Sequence, residues 1–153
     1  LHLEASCLND LALLNLCRQH NQEAIKQAKE SLEKFRELQL EVPTISNLAV
    51  IATAQLRQGN TLDARIAVHT ALGILDNHVN NGVDFAQRDY WMCYQVLQAF
   101  GEIDDATHAL SSAHRLLLQQ AQKISDIEMR RSYLENVAYN RSILKAVNEN
   151  ASA

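Results

Sequence analysis

Hydrophobic residues recur every three to four positions along most of the chain, which is the spacing of one face of an α-helix. Between positions 61 and 75 this stripe consists of Leu62, Ile66, Val68, Ala71, Leu72 and Leu75. Thr61, directly in front of the stripe, is a good N-cap residue. No segment alternates hydrophobic and polar residues over the length of a strand. The pattern therefore predicts an all-α protein.

A short turn followed by an alanine five residues later recurs three times along the chain. The turns begin at Gln19, Gly59 and Gly101, and the alanines are Ala24, Ala64 and Ala106. Successive alanines lie 40 and 42 residues apart. A helical stretch on each side of a repeated turn indicates a repeated helix hairpin. We expect three long hairpins, at about residues 3–40, 44–79 and 84–124.

The remaining residues predict a C-terminal cap of two helices at about residues 126–148. Ser125 and Glu128 are spaced as a capping box, so a helix should begin near Asp126. Its expected buried residues are Ile127, Tyr133 or Leu134, and Val137. The last helix should carry Tyr139, Ile143, Leu144 and Val147 on its apolar face.

Two further local predictions concern the start of the third hairpin. Residues 77–82 have the composition of a loop, and Asp84 with Gln87 is spaced as a capping box. The single proline, Pro43, lies between the first and second hairpins, where it can end one helix and begin the next.

Composition excludes several classes of protein. One Pro and four Gly in 153 residues are too few turn residues for a β-sandwich or barrel, and this length suits a single domain, residues 1–153. No apolar run is long enough to span a membrane, and a net charge of −4 argues against nucleic-acid binding. A start at Leu1 without a signal-peptide pattern suggests a fragment of a longer chain.

The three cysteines are too few and too widely spaced for a disulfide framework, which favours the reducing cytoplasm. We expect Cys7, Cys17 and Cys93 to act as small apolar core residues. The six histidines show no pair at helical ligand spacing, and no nucleophile or phosphate-binding motif is present. The sequence thus predicts no catalytic residue, no metal site and no cofactor.

The hairpin pattern resembles the tetratricopeptide repeat. Ala24, Ala64 and Ala106 match the first conserved Ala of that family's second helix, and Tyr90 matches its opening aromatic. The later small residue of the second helix is matched by Ser31, Ala71 and Ala113. The glycine of the family's first helix is missing, and the periods exceed its 34 residues. The resemblance implies a right-handed α–α superhelix, or solenoid.

The C-terminal segments 121–126, 130–137 and 140–144 sharpen this resemblance. They are similar to the closing part of tetratricopeptide regions at the C-termini of large bacterial signalling and regulatory proteins. The resemblance implies a non-catalytic interaction module that binds a peptide, a partner helix or another domain of its parent chain in a concave groove. The alternative is a sensor that binds a small molecule, such as a sugar, in the same groove.

The resemblance also indicates which residues line the groove. In the second and third repeats, the proposed contact residues are Thr53, Arg57, Arg88, Trp91, Met92, Gln95 and Gln98. The corresponding positions around them are Ser6, Asn9, Asp10, Leu13, Leu16, Ser46, Ala49 and Val50. Trp91 would be the anchor; alternatively, it packs against the preceding hairpin.

Charge gives a further indication about the partner. Residues 66–106 hold one basic residue, Arg88, against six acidic residues. An acidic groove would favour a basic partner segment, although an ordinary solvated face gives the same count.

Overall fold

The computed structural model describes residues 1–152, which contain eight α-helices, one 3₁₀ turn and no strand. The helices are α1 (His2–Cys17), α2 (Asn21–Glu37), α3 (Thr44–Arg57), α4 (Thr61–His78), α5 (Ala86–Ala99), α6 (Ile103–Gln122), α7 (Ile127–Asn136) and α8 (Ala138–Ala151). The 3₁₀ turn is Val79–Asn81. The predicted all-α class is confirmed. None of the helices in this range is long and apolar enough to cross a membrane.

The helices pack as hairpins that contact their neighbours in chain order. Within hairpins, α1 packs on α2, α3 on α4, and α5 on α6. Between hairpins, α2 packs on α3 and α4 packs on α5. We call α1, α3 and α5 the first helices; α3 contacts both α1 and α5. Because α3 lies between the other two, every residue from Thr44 to Gln55 is buried.

The repeated turn is formed the same way in all three hairpins. Residues Gln19, Gly59 and Gly101 each have positive φ, between 63° and 81°. The next amide donates to a carbonyl five residues earlier, from His20 to Asn15, Asn60 to Gln55 and Glu102 to Leu97. This is the Schellman termination, which satisfies carbonyls at a helix end. Gly59 and Gly101 adopt this left-handed conformation easily because glycine has no Cβ atom. Gln19 adopts the same conformation although it has one.

The two C-terminal helices cover the end of the third hairpin. Helix α8 packs on α5 and α6, and α7 packs on α6 and α8. Helix α7 begins next to Asp126, as predicted, but its N-cap is Asp126 rather than Ser125 of the expected capping box: Asp126 Oδ1 accepts a hydrogen bond from the Met129 amide at 2.8 Å. Ile143 is fully buried. The prediction that Ile127 is buried was wrong, because its side chain lies in the first turn of α7 on the solvent side, 74% exposed.

Three predictions near helix starts were also wrong. Asn60 rather than Thr61 is the N-cap of α4, and α4 continues through residue 78 into the 3₁₀ turn. Phe85, and not Asp84, is the N-cap of α5. The side-chain amide of Gln87 donates a hydrogen bond to the Tyr133 hydroxyl at 2.9 Å. Gln87 thus contacts the cap helix α7 and does not form a capping box with Asp84.

The cysteines differ in exposure. Cys93 is buried, as expected, whereas Cys7 and Cys17 are exposed. The expectation of three core cysteines was thus wrong for the two on α1. The reason is that no other helix of residues 1–152 covers the side of α1 on which they lie.

Candidate functional site: a cleft between the first helices

The middle of the predicted groove is closed. Ser46, Ala49, Val50 and Thr53 on α3 are all buried. The Thr53 hydroxyl donates to the Ala49 carbonyl at 2.9 Å, so its hydrogen-bonding capacity is used within the helix. A partner lying along the groove would find little of α3 to contact there.

Arg57, at the end of α3, joins two hairpins. Its Nη1 donates to the Leu16 carbonyl at 2.8 Å, although much of the side chain is exposed. Leu16 is in the last turn of α1, where carbonyls lack partners within the helix. The geometry explains Arg57 as a contact between α3 and α1.

Apart from Arg88, which is described below, the predicted contact residues of α5 divide into three groups. Met92 is buried in the core, which removes it from the surface that a partner could touch. Trp91 is half-buried against the core, with its ring centroid 5.2 Å from that of Tyr94. Gln95 and Gln98 are exposed. Trp91 thus packs on the core with part of its side chain and leaves the rest exposed, and its role as the anchor stays a prediction.

A cavity lies at the N-terminal side of the first helices α3 and α5, where side chains of α1 also reach it. It encloses about 310 Å³. Its lining residues are His2, Ser6, Asn9, Asp10, Phe35, Val42, Pro43, Ser46, Gly82, Val83, Asp84, Phe85, Arg88 and Asp89. We call this cavity the cleft. All three first helices contribute polar side chains to it.

Arg88 is the central polar group of the cleft. Its Nε donates to Asp89 Oδ1 at 2.9 Å and its Nη2 donates to Ser46 Oγ at 3.1 Å. Its guanidinium carbon lies 5.1 Å from the centroid of the Phe85 ring, within cation–π range. These three contacts hold the guanidinium between α3 and α5.

Asp89 is 1% exposed. Burial raises the pKa of its carboxyl group to about 6, and the adjacent Arg88 charge opposes that rise. The carboxyl group therefore changes charge near neutral pH.

Asn9 lines the cleft, and its side chain has an unused acceptor. Its Oδ1 is buried, and no donor among residues 1–152 reaches it. A buried acceptor without a partner is costly, so a ligand group that donates to it would be favoured. The nearby Phe85 is an exposed aromatic residue with φ of 55°, a conformation that side chains other than glycine and asparagine rarely adopt.

The charges around the cleft are mainly negative. Asp10 and Asp84 are exposed at its edge, whereas Arg88 is already paired with Asp89. Acidic groups beside an exposed aromatic ring suit a basic or hydrogen-bond-donating ligand. The arrangement is that of a binding site, with hydrogen-bonding groups and a ring that orient a bound group.

The structure brings together only part of the predicted groove. Ser6, Asn9, Asp10, Ser46 and Arg88 meet in the cleft, whereas Thr53, Arg57, Trp91, Met92, Gln95 and Gln98 lie outside it. Phe85 and Asp89 also line the cleft, although the sequence pattern did not indicate either of them. The adjacent opposite charges of Arg88 and Asp89 were the one local signal that could have indicated an internal ion pair.

A second polar cluster joins α4 to the start of α6. His69 Nε2 lies 2.7 Å from Glu102 Oε2, and Asp105 Oδ2 lies 3.9 Å from His69 Nδ1. Such a set of ligand types could hold a metal ion. Glu102 Oε1, however, is also paired with Arg65 Nε at 3.1 Å. Contacts between the two helices, including the Arg65–Glu102 ion pair, therefore account for the cluster without a metal ion.

A third cluster joins α4, α5 and α6. The Tyr90 hydroxyl donates to Asp76 Oδ1 at 2.6 Å, and His108 Nε2 lies 2.9 Å from the same oxygen. Burial, with the hydrogen bond to Asp76, raises the pKa of Tyr90 above its usual range. A phenol with a raised pKa stays protonated and acts here as a fixed hydrogen-bond donor.

Comparison with known proteins identifies a family for nearly the whole chain. No curated protein matches the sequence, and no solved structure matches it either. The family model that matches, over residues 5–151, is TP_0123_C, which is described as a C-terminal domain. It is not a tetratricopeptide-repeat model, so that resemblance stays a prediction. The chain belongs to the TP_0123_C family of C-terminal domains.

Proposed function

We propose that this domain is a non-catalytic interaction module that binds a segment of a partner protein, with the cleft as its anchor point. The partner is another protein or another domain of the parent polypeptide, for which a bacterial signalling or transcription-regulatory role is the interpretation we favour. One observation carries the proposal: the cleft joins polar side chains of all three first helices, and one of them, Asn9, has an unpaired buried acceptor.

The packing order supports a tetratricopeptide-like solenoid as the frame for this site. The first helix of the second and of the third hairpin packs on the hairpin before it, as repeats do in arrays of this kind. In such arrays the row of first helices forms the concave binding surface. The cleft lies on this row, at the ends of α3 and α5 that follow the inter-hairpin connections.

The size and charge of the cleft indicate what it would hold. A volume of about 310 Å³ is at the small end of the ligand-pocket range, so the cleft suits a side chain of the partner rather than a whole helix. Asp10, Asp84 and the Phe85 ring favour the side chain of Lys or Arg. The Asn9 Oδ1 atom would accept a hydrogen bond from it. Exposed Gln95 and Gln98 would then contact the flanking residues.

Selection from a random peptide library on the immobilised domain tests the proposal. We expect enriched peptides to share a basic residue, and to bind at least about tenfold more weakly to the double variant Asp10→Asn, Asp84→Asn. The matched control is Asp63→Asn, Asp104→Asn, which removes two exposed charges on α4 and α6. If both double variants lost peptide affinity equally, the net charge of the domain and not the cleft would be responsible. If neither lost affinity, the cleft would be excluded as the anchor.

The cleft also supports the second candidate, a small-molecule sensor. Asn9, Arg88 and Asp89 are hydrogen-bonding groups of the type that orients a sugar, and Phe85 offers a face for stacking. Thermal unfolding with a panel of neutral sugars separates the two functions. A sugar that raises the melting temperature of the wild type but not of Asn9→Leu would favour the sensor over the peptide-binding module.

A further inference from the structure

Equivalent positions of the three first helices provide a test of what each helix contacts. The repeat spacing of 40 and 42 residues aligns Cys7 with Asn47 and Asp89, Leu11 with Ile51 and Cys93, and Leu14 with Ala54 and Val96. On α3 and α5 all six of these residues are buried. On α1, Cys7 is exposed, Leu11 is 45% exposed and Leu14 is 44% exposed.

The difference is explained by the neighbours of each helix. Helix α1 packs on its own second helix, α2, and on the next first helix, α3. Helix α3 has both equivalent contacts, with α4 and α5, and in addition packs on the preceding hairpin, mainly α2. The positions that are buried on α3 but not on α1 are therefore those covered by a preceding hairpin.

The uncovered face of α1 is apolar. Leu3, 75% exposed, lies on the same side as Cys7, Leu11 and Leu14, because these residues recur at helical spacing. We call these four residues the α1 face. A contiguous stripe of leucines on a helix surface marks a contact site rather than a solvated surface. Repeat arrays require a polar outer surface at their ends, and this face lacks one.

We infer that an α-helix preceding residue 1 in a longer polypeptide packs on the α1 face, in the way that α2 packs on α3. Two observations select this occupant. The family is a C-terminal domain, so its members have polypeptide on the N-terminal side. Cys7, Leu11 and Leu14 of the α1 face also occupy positions that are buried in the other two hairpins, each of which follows another hairpin. The inference does not depend on what the cleft binds.

The spacing of the known hairpins locates the occupant. Helix α2 ends at residue 37 and α3 begins at 44, while α4 ends at 78 and α5 begins at 86. Connections of the same length would place the end of the preceding helix within roughly ten residues of His2. Its face toward α1 would be apolar, and it would be the second helix of a further hairpin.

The cysteines of α1 supply the probe and its internal control. Cys7 is in the centre of the α1 face. Cys17 aligns with Arg57 and Ala99, which stay exposed even though hairpins precede them. A helix packed as α2 is on α3 would therefore protect Cys7 and leave Cys17 accessible.

The experiment compares iodoacetamide labelling of the 153-residue chain and of the longer natural polypeptide, with each cysteine followed by mass spectrometry. We expect Cys7 to react at least about tenfold more slowly in the longer polypeptide, because it is reached only after local opening. Cys17 should react at the same rate in both. Equal Cys7 rates, protection of both cysteines, or a natural polypeptide of only 17.2 kDa would each contradict the inference.

A second copy of the chain is the competing occupant. Labelling the 153-residue chain over a range of concentrations, with sedimentation at each, tests it. Protection of Cys7 that rises with dimer formation would assign the face to a homodimer and overturn the inference.

A pair of variants gives a readout independent of thiol chemistry. Leu11→Glu with Leu14→Glu should lower the urea midpoint of the longer polypeptide and leave that of the 153-residue chain unchanged. Leu118→Glu, on α6 and 38% exposed, is the matched control and should act alike in both. Equal effects of the Leu11 and Leu14 changes in the two proteins would contradict the preceding helix.

Discussion

The last hairpin of this domain is covered by two further helices, whereas the first hairpin presents leucines to solvent. At the C-terminal end, α8 buries Ile143 completely against the third hairpin. Its far side carries charged residues such as Lys145 and Glu149. At the N-terminal end, the α1 face is apolar and uncovered within residues 1–152. Within residues 1–152, the third hairpin is thus covered by α7 and α8, whereas the α1 face of the first hairpin is exposed.

The two ends also differ in how their backbone groups are satisfied. In the cap, Arg130 donates through Nε and Nη2 to the Ile124 carbonyl, at 2.9 and 2.7 Å. Arg141 donates to the Glu135 carbonyl, and the buried Asn140 donates to the Tyr133 carbonyl. At the other end, Leu1 is the N-cap of α1 and offers no side-chain hydrogen bond. Side chains therefore satisfy carbonyls around the cap helices, whereas the start of α1 has no side-chain cap.

The largest expected effect on stability comes from a core substitution in α8, at the C-terminal end. Ile143→Ala should lower the free energy of unfolding by about 2–4 kcal/mol, because it leaves a cavity between α8 and the third hairpin. Leu3→Ala, on the α1 face at the N-terminal end, should change the free energy of unfolding by no more than about 0.5 kcal/mol, because Leu3 is largely exposed. Urea denaturation measures both. Similar losses for the two variants would mean that the ends do not differ.

The polar closure of the cap should have a smaller effect. Arg130→Met removes two hydrogen bonds to one carbonyl at the end of α6 and should cost about 1–2 kcal/mol. The neighbouring Arg131 makes only an exposed pair with Glu135, so Arg131→Met should cost about 0.3 kcal/mol. The same denaturation experiment compares the two adjacent arginines. A cost for Arg131→Met as large as that for Arg130→Met would show that charge, and not carbonyl capping, is responsible.

The smallest effect concerns Asp89, the α5 counterpart of Cys7 on the α1 face. Its folded-state pKa of about 6 lies above the value of an unfolded chain, so the folded state favours the protonated form. This contribution to stability is present at low pH and is lost as the pH rises through about 6. When the pH falls from 7.5 to 5.0, the free energy of unfolding should rise by about 1 kcal/mol more for the wild type than for Asp89→Asn. Parallel pH profiles of the two proteins would contradict the raised pKa.

The helices and their turns follow from local sequence. Gly59 and Gly101 end helices because they take the left-handed conformation easily, and Asp126 caps α7 because its carboxylate reaches the next turn. These interactions span at most five residues, so the sequence pattern predicts them. The predictions for Ile127 and Gln87 were wrong because a local pattern does not show which other helices a side chain meets. Ile127 lies on the solvent side of α7, and Gln87 donates a hydrogen bond to Tyr133 of the same helix.

The candidate site depends on contacts that no local pattern contains. Asn9, Ser46 and Arg88 lie about 40 residues apart along the chain and meet only because the hairpins stack. Thr53 and Met92 have the spacing of groove residues, yet neighbouring helices bury them. Phe85 enters the cleft because the connection before α5 turns it there with positive φ.

The amino-acid sequence by itself determined that this protein is all-α, where its repeated turns occur and that two helices follow the third hairpin. Helical periodicity and helix termination are properties of neighbouring residues, and they are therefore readable along the chain. Only the tertiary structure decided which helix faces are covered. Cys7, Asn47 and Asp89 occupy the same position in three similar helices, and the presence of a preceding hairpin determines which of them are buried.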